Sequence, residues 1–111
     1  MEIKVGEYVR TKEWGIAKVH KVDNGKVTWV KNKNNRVTHY FTQLKEPSKD
    51  LIDLIEVGDI VELSDVLHKD ILYVWSKRMI KALKEDIENG IQLKSILTKE
   101  QFESIKYVVG D

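Results

Sequence analysis

The residues with chemistry to offer are three histidines, scattered carboxylates, and a set of rings and cations grouped at one end. His20, His39 and His68 could move protons or bind a metal, but none stands in the HxxxH or HExxH spacing that helical metal sites use. His20 and His39 could meet across neighbouring strands, where surface or hydrogen-bonded imidazoles are the simpler expectation. Carboxylate groups such as Asp50/Asp53 and Glu85/Asp86/Glu88 read as solvated faces and turn acceptors rather than acid–base pairs. There is no Gly-rich phosphate loop, no nucleophile elbow and no cysteine, so thiol nucleophiles, thiolate metal sites and disulfides are excluded. The expectation is a non-enzymatic protein with no catalytic residues, no metal and no cofactor.

The rings and cations point to binding. Tyr8, Trp14, Trp29, Tyr40 and Phe41 interleave with Arg10, Lys12, Lys18, Lys31, Lys33 and Arg36. Aromatic faces beside basic side chains suit single-stranded nucleic acid, through stacking and phosphate attraction. The same set suits a proline-rich or acidic peptide. The candidate partner-binding residues are Tyr8, Arg10, Lys12, Trp14, Lys31, Lys33, Arg36 and Tyr40, with Trp14, beside Gly15 in a loop, foremost. Core filling competes for the large rings: Trp29 and one of Tyr8 or Tyr40 are expected inside. Trp75, which alternates with Tyr73 and Ile71, is expected in a core or between units. Charge follows the rings. Residues 1–50 hold 11 Lys/Arg against 6 Asp/Glu and residues 51–111 hold 8 against 12, a split hidden by a net charge of +1. Chance drift, an anionic partner for the first half, or docking of the two halves would each produce it.

Short strands must position these groups. Glu7–Thr11, Ile16–Val22, Lys26–Lys31 and Arg36–Phe41 alternate as a meander, with Val27 and Trp29 sharing a face. Asn24-Gly25 makes a tight hairpin turn and Asn32–Asn35 a second turn. Glu46–Asp50, with the only proline, reads as a boundary, and Leu51–Ile55 as an apolar strand or helical turn packed between units. Val57–Leu63 and Ile71–Trp75 resume the strand pattern. Residues 77–90 fit a helical stripe at Met79, Ile80, Leu83 and Ile87, yet Asn89-Gly90 resembles a hairpin turn, and a strand is preferred there. Thr98-x-x-Gln101 is a capping box that starts a short helix from Lys99 to about Ser104, and 106–109 read as a closing strand.

The preference for a strand at 77–90 comes from an internal echo. Val5-Gly6-Glu7-Tyr8-Val9 returns as Val57-Gly58-Asp59-Ile60-Val61, and Gln43-Leu44-Lys45 returns as Gln92-Leu93-Lys94. Two matches at nearly one period suggest a duplicated unit. Units of about 50 residues bury small cores and are marginal alone.

Short bent strands behind a Gly-acid-x-Val opening resemble SH3-like or Tudor-like small barrels. The stretches Val5–Thr11, Ser48–Val61 and Leu93–Ile105 are similar to a group of small proteins encoded by phages and prophages of Gram-positive bacteria. Ser76–Asp86 departs most from that group. The resemblance implies expression in a bacterial cell and an accessory role, with no activity attached. The expected fold is mainly β: two tandem small SH3-like barrels with a short C-terminal helix. Residues 1–46 form the basic, aromatic-rich barrel, 47–55 a linker or packing segment, and 56–111 the acidic second unit, with its short helix near 99–104. The expected function is a phage or prophage accessory module recognising a protein partner. Nucleic-acid binding by the first unit is the alternative, and a self-assembling structural component the third reading. No apolar run reaches the ~20 residues of a membrane span, and Met1–Lys4 lacks the shape of a signal peptide, so the cytoplasm is the expected location.

Overall fold

The computed structural model describes residues 3–65 and 69–105; His68 and the closing strand expected at 106–109 lie outside the described residues. The chain divides into two compact units, Met1–Leu54 and Ile55–Asp111. Both are built around small antiparallel sheets, so the protein is mainly β.

In the first unit β1 (Tyr8–Thr11), β2 (Gly15–Asp23), β3 (Lys26–Lys31) and β4 (Val37–Thr38) form a meander in the order β1-β2-β3-β4. Asn24 and Gly25, both at positive φ, make the expected tight turn between β2 and β3. The β3–β4 turn is organised by Asn32, whose buried Oδ1 accepts from the Asn34 and Arg36 amides at 2.9 and 3.1 Å. Val9, Ala17, Val19 and Val30 form the core, with Val22, Val27 and Phe41 packed against it.

The β2–β3 register shifts twice, between Val19 and Lys21 and again between Lys21 and Val22. Those irregularities break simple alternation. Val27 packs on the core, while Trp29 sits edge-on against His39 with ring centroids 4.5 Å apart. The expectation that Val27 and Trp29 share a face, with Trp29 filling the core, is therefore corrected.

β1 is paired on both edges. β2 takes one; on the other, Tyr8 and Ser48 exchange backbone hydrogen bonds of 2.8 and 2.9 Å, and the Leu44 amide donates to the Arg10 carbonyl at 2.9 Å. A 3-10 helix at Leu51–Leu54 follows, and the carbonyl of buried Leu54 accepts from Arg10 Nη1 at 2.9 Å. The segment expected to lie between units thus belongs to the first one, and Leu51–Leu54 is its helical turn.

The second unit comprises β5 (Ile60–Ser64), β6 (Lys69–Tyr73), α1 (Lys77–Glu88), β7 (Gln92–Leu97) and α2 (Lys99–Ile105), with strand order β6-β5-β7. Its buried apolar side chains are Ile55, Val61, Leu63, Val74 and Leu83. α1 stands where a strand was preferred. Ser76 caps it, accepting from the Met79 amide at 3.2 Å, and Met79, Ile80, Leu83 and Ile87 form its less exposed stripe. Asn89-Gly90 ends a helix instead of turning a hairpin: Gly90, at φ +104, donates to Ile87 and Ile91 to Asp86, both at 3.1 Å. That is the Schellman arrangement, which glycine favours because the left-handed conformation costs it little. α2 begins as expected, with the Gln101 amide donating to Thr98 Oγ1 at 3.3 Å and the Thr98 amide to Gln101 Oε1 at 3.4 Å.

The opening echo has a geometric counterpart. Gly6 and Gly58 both hold positive φ, at 96° and 103°. The following acid donates back across the turn in each case, Glu7 to Lys4 at 3.2 Å and Asp59 to Glu56 at 3.1 Å. The carboxylates reciprocate, Glu7 Oε1 accepting from the Lys4 amide and Asp59 Oδ2 from the Glu56 amide. Each turn then grips a later strand through two bonds, Gly6 and Glu7 with Val19, Gly58 and Asp59 with Val74. A Cβ at position 58 would also lie 3.2 Å from the Lys99 side chain, a tight contact that adds to the strain of its positive φ. The Gln-Leu-Lys segments also correspond, since each runs beside the opening strand on the edge away from the next strand.

Arg10 is fully buried and holds the 3-10 helix to β1. Replacing it with leucine leaves the Leu54 carbonyl without this donor and should cost about 2–4 kcal/mol, against less than ~0.5 kcal/mol for exposed Lys12→Ala. Urea unfolding of the two variants measures the difference.

Candidate functional site

The β1–β2 turn carries Lys12, Glu13 and Trp14, and its shape is set by Thr11. The buried Thr11 hydroxyl donates to the Gly15 carbonyl at 2.8 Å and accepts from the Trp14 amide at 3.0 Å. The turn is then stapled to the chain beyond β4. The Lys12 amide donates to the Thr42 carbonyl at 3.0 Å, and the Glu13 carboxylate accepts from the Thr42 amide at 2.6 Å and hydroxyl at 2.8 Å. Trp14 completes the staple, its indole Nε1 donating to the Tyr40 carbonyl at 3.0 Å. With that N–H occupied, Trp14 has a ring face rather than a donor to offer a ligand.

Tyr40 is 74% exposed, and its ring lies 4.1 Å from that of His39, which in turn meets Trp29. Trp29, His39 and Tyr40 therefore form a chain of ring contacts with one half-buried end and one open end, and Trp14 is tied to its open end through the Tyr40 backbone. The strand register supplies its charge. Lys18 stands directly opposite Lys31, Tyr8 opposite Lys18, and Val37 opposite Lys31. This cationic row lies two residues along β3 from Trp29, roughly 7 Å. Like charges paired across a sheet destabilise it. The ring of Tyr8 takes up the Lys18 ammonium at 5.7 Å, and no described acidic side chain pairs with Lys31. Lys33 and Arg36 extend the charge onto the exposed β3–β4 turn.

Of the expected site residues, Lys12, Trp14, Lys33, Arg36 and Tyr40 are exposed and Tyr8 and Lys31 half-buried. Arg10 is not available to a partner, because it is fully buried against Leu54. Trp29, His39 and Lys18 join the site although they were outside the expected set. Their signal was the cross-strand register, which the doubled irregularity in β2–β3 conceals. Trp75, expected to be packed, is 71% exposed.

Among the described residues no group of three His, Asp or Glu is placed to hold a metal ion, and no helix is long and apolar enough to cross a membrane. No protein-family model, curated protein or solved structure matches the chain.

The Glu13 carboxyl sits below the usual carboxylate range: partial burial raises it, but the Thr42 hydrogen bonds and nearby Lys12 together outweigh that. A carboxyl lowered on folding adds stability above its unfolded value of about 4.3 and loses it as pH falls through the folded value. The staple should therefore loosen in the acid range below that value, with a contribution under ~1 kcal/mol for so exposed a group. An acid titration of the Thr42 amide by NMR should show this step in the native protein and lack it in Glu13→Gln.

Proposed function

We propose that the protein is a non-enzymatic binding module whose first unit takes single-stranded nucleic acid on the Trp14–Tyr40–His39–Trp29 cluster. The observation that carries this reading is the Lys18–Lys31 pair, two cations set opposite one another beside the edge-on Trp29–His39 and tilted His39–Tyr40 ring contacts. Such a pair costs stability in the free protein and is compensated when an anion lies across it. Phosphates supply the anion and bases the flat surfaces that exposed ring faces accept. A near-neutral total charge favours a protein partner on average, but a ligand this size responds to the local field of the first unit.

Recognition of a protein partner is the second reading, and what favours it is the exposed apolar strand of the second unit. An accessory role in a phage or prophage setting, and an origin of the two units as diverged copies of one SH3-like scaffold, belong to the same proposal. The shared opening turns and the equivalent Gln-Leu-Lys strands support the common scaffold. On this reading one copy binds and the other has been rebuilt around α1.

Tryptophan fluorescence titrated with single-stranded and duplex oligonucleotides tests the proposal. Single strands should quench, and neutralising about five phosphates should give a slope near −3.5 for log K against log salt. Lys18→Ala/Lys31→Ala should flatten the slope by about 1.4, and Tyr40→Ala should weaken binding roughly ten-fold or more. Quenching that ignores salt, or equal binding to an acidic peptide, would remove nucleic acid as the ligand.

A further inference from the structure

Among the described residues, the second unit carries a strand edge without a partner. β6 is the outer strand of the β6-β5-β7 sheet, and no described residue pairs with its far side. Ile71, Tyr73 and Trp75 project from one face at alternate positions, exposed by 71%, 58% and 71%. Val74 between them is fully buried in the opposite direction, so the exposure is a property of one face and not of a frayed strand. Edge strands are ordinarily blunted by inward charges, proline or bulges. Here the β5–β6 ladder runs without a register shift and there is no proline. The charges of β6, Lys69 (tied to Glu62 at 3.2 Å) and Asp70, are confined to its start, leaving Ile71–Tyr73 uncharged.

The backbone direction is fixed as well. Val74 points its amide to the Asp59 carbonyl and its carbonyl to the Gly58 amide, both on the β5 side. Backbone groups alternate along an antiparallel strand, so Tyr73 and Ile71 turn theirs to the open edge. The geometry points to self-association: β6 pairs antiparallel with β6 of a second copy about a two-fold axis at Leu72. In that register Ile71 faces Tyr73 of the second copy and Lys69 faces Trp75 of the second copy. Each strand meets the other's apolar side chains twice, and both ends close with a cation over an indole. A second copy fits this edge because it supplies an antiparallel strand with the same apolar alternation. Glu62 compensates Lys69, and exposed Asp70 lies in the other side-chain row of the strand, apart from Ile71 and Tyr73.

At roughly 200 Å² per large side chain, the three exposures leave about 400 Å² of apolar surface per copy and about 800 Å² per pair, below the ~1,200 Å² of a stable interface. The dimer is accordingly weak and transient, and it survives high salt because burial and backbone pairing hold it.

Sedimentation velocity of the full chain from micromolar to millimolar concentration, free of nucleic acid and at high salt, tests this. A monomer–dimer equilibrium should appear, weakened more than ten-fold in Ile71→Lys and partly in Ile71→Thr, which retains strand propensity. Trp75→Ala, beyond the strand itself, should also weaken it and guards against a variant that fails to fold. A monomer at millimolar concentration, association that salt abolishes, or association unchanged in a folded Ile71→Lys would each overturn the inference. Because the oligonucleotide site lies in the other unit, these outcomes stand apart from those of the fluorescence titration.

Discussion

Each unit depends on a short strand gripped on both edges. β1 is only four residues long, yet Val9, Arg10 and Thr11 are fully buried because β2 and the returning segment around Gln43–Ser48 flank it. That double pairing fixes both ends of the candidate site. Thr11 shapes the turn that carries Trp14, and the backbone bonds to Thr42 and Leu44 hold the chain just after Tyr40. β5 has the same place between β6 and β7, with Val61 fully buried. A unit this small buries few apolar residues, so a central strand that satisfies its hydrogen bonds on both sides is the most economical core available.

Because the opening turn and opening strand are the common part, they are where the sequence echo is strongest. The turn requires a residue at positive φ followed by an acid that caps it, and Val-Gly-Glu and Val-Gly-Asp both supply these. In the second unit the acid makes a further contact. Asp59 Oδ1 accepts from the Lys99 amide at 2.9 Å, joining the turn to the start of α2. The first unit closes on the same strand by other means, with Arg10 reaching the end of the 3-10 helix. The two units share a constraint and solve its far end differently.

That contrast explains what could be read from the residues. Asn24-Gly25, the capping box at Thr98 and most strand runs were legible because their signals are local: a backbone conformation, or a side chain reaching three residues on. Asn89-Gly90 misled for the same reason. The dipeptide demands positive φ in either a hairpin or a helix end, and only the stripe before it, Met79 to Ile87, says which. Trp29 and Arg10 were illegible because their settings are not local. Two register irregularities turned Trp29 away from the core, and a residue 44 positions on took the Arg10 guanidinium inside. The candidate site was thus half visible: the loop residues Trp14, Tyr40, Lys33 and Arg36 by type, but the Trp29–His39 contact and the Lys18–Lys31 pair only through register.

Large side chains in a small sheet have nowhere to hide. Apart from Arg10, the fully buried side chains are of modest size, chiefly valines and leucines, and every tryptophan is left at least partly outside. In the first unit this excess is organised: hydrogen bonds to Trp14 and ring contacts to Trp29 hold the aromatics in place and give them little freedom to lose on binding. In the second unit no described residue makes such a fixing contact with Trp75, and it follows Ile71 and Tyr73 along an edge that no described strand pairs. On the proposed reading, fixed rings beside the Lys18–Lys31 pair would discriminate a ligand by charge and flatness. An exposed apolar row on a strand edge is suited to pairing with another strand. The same surplus of aromatic surface therefore equips the two units for different kinds of contact.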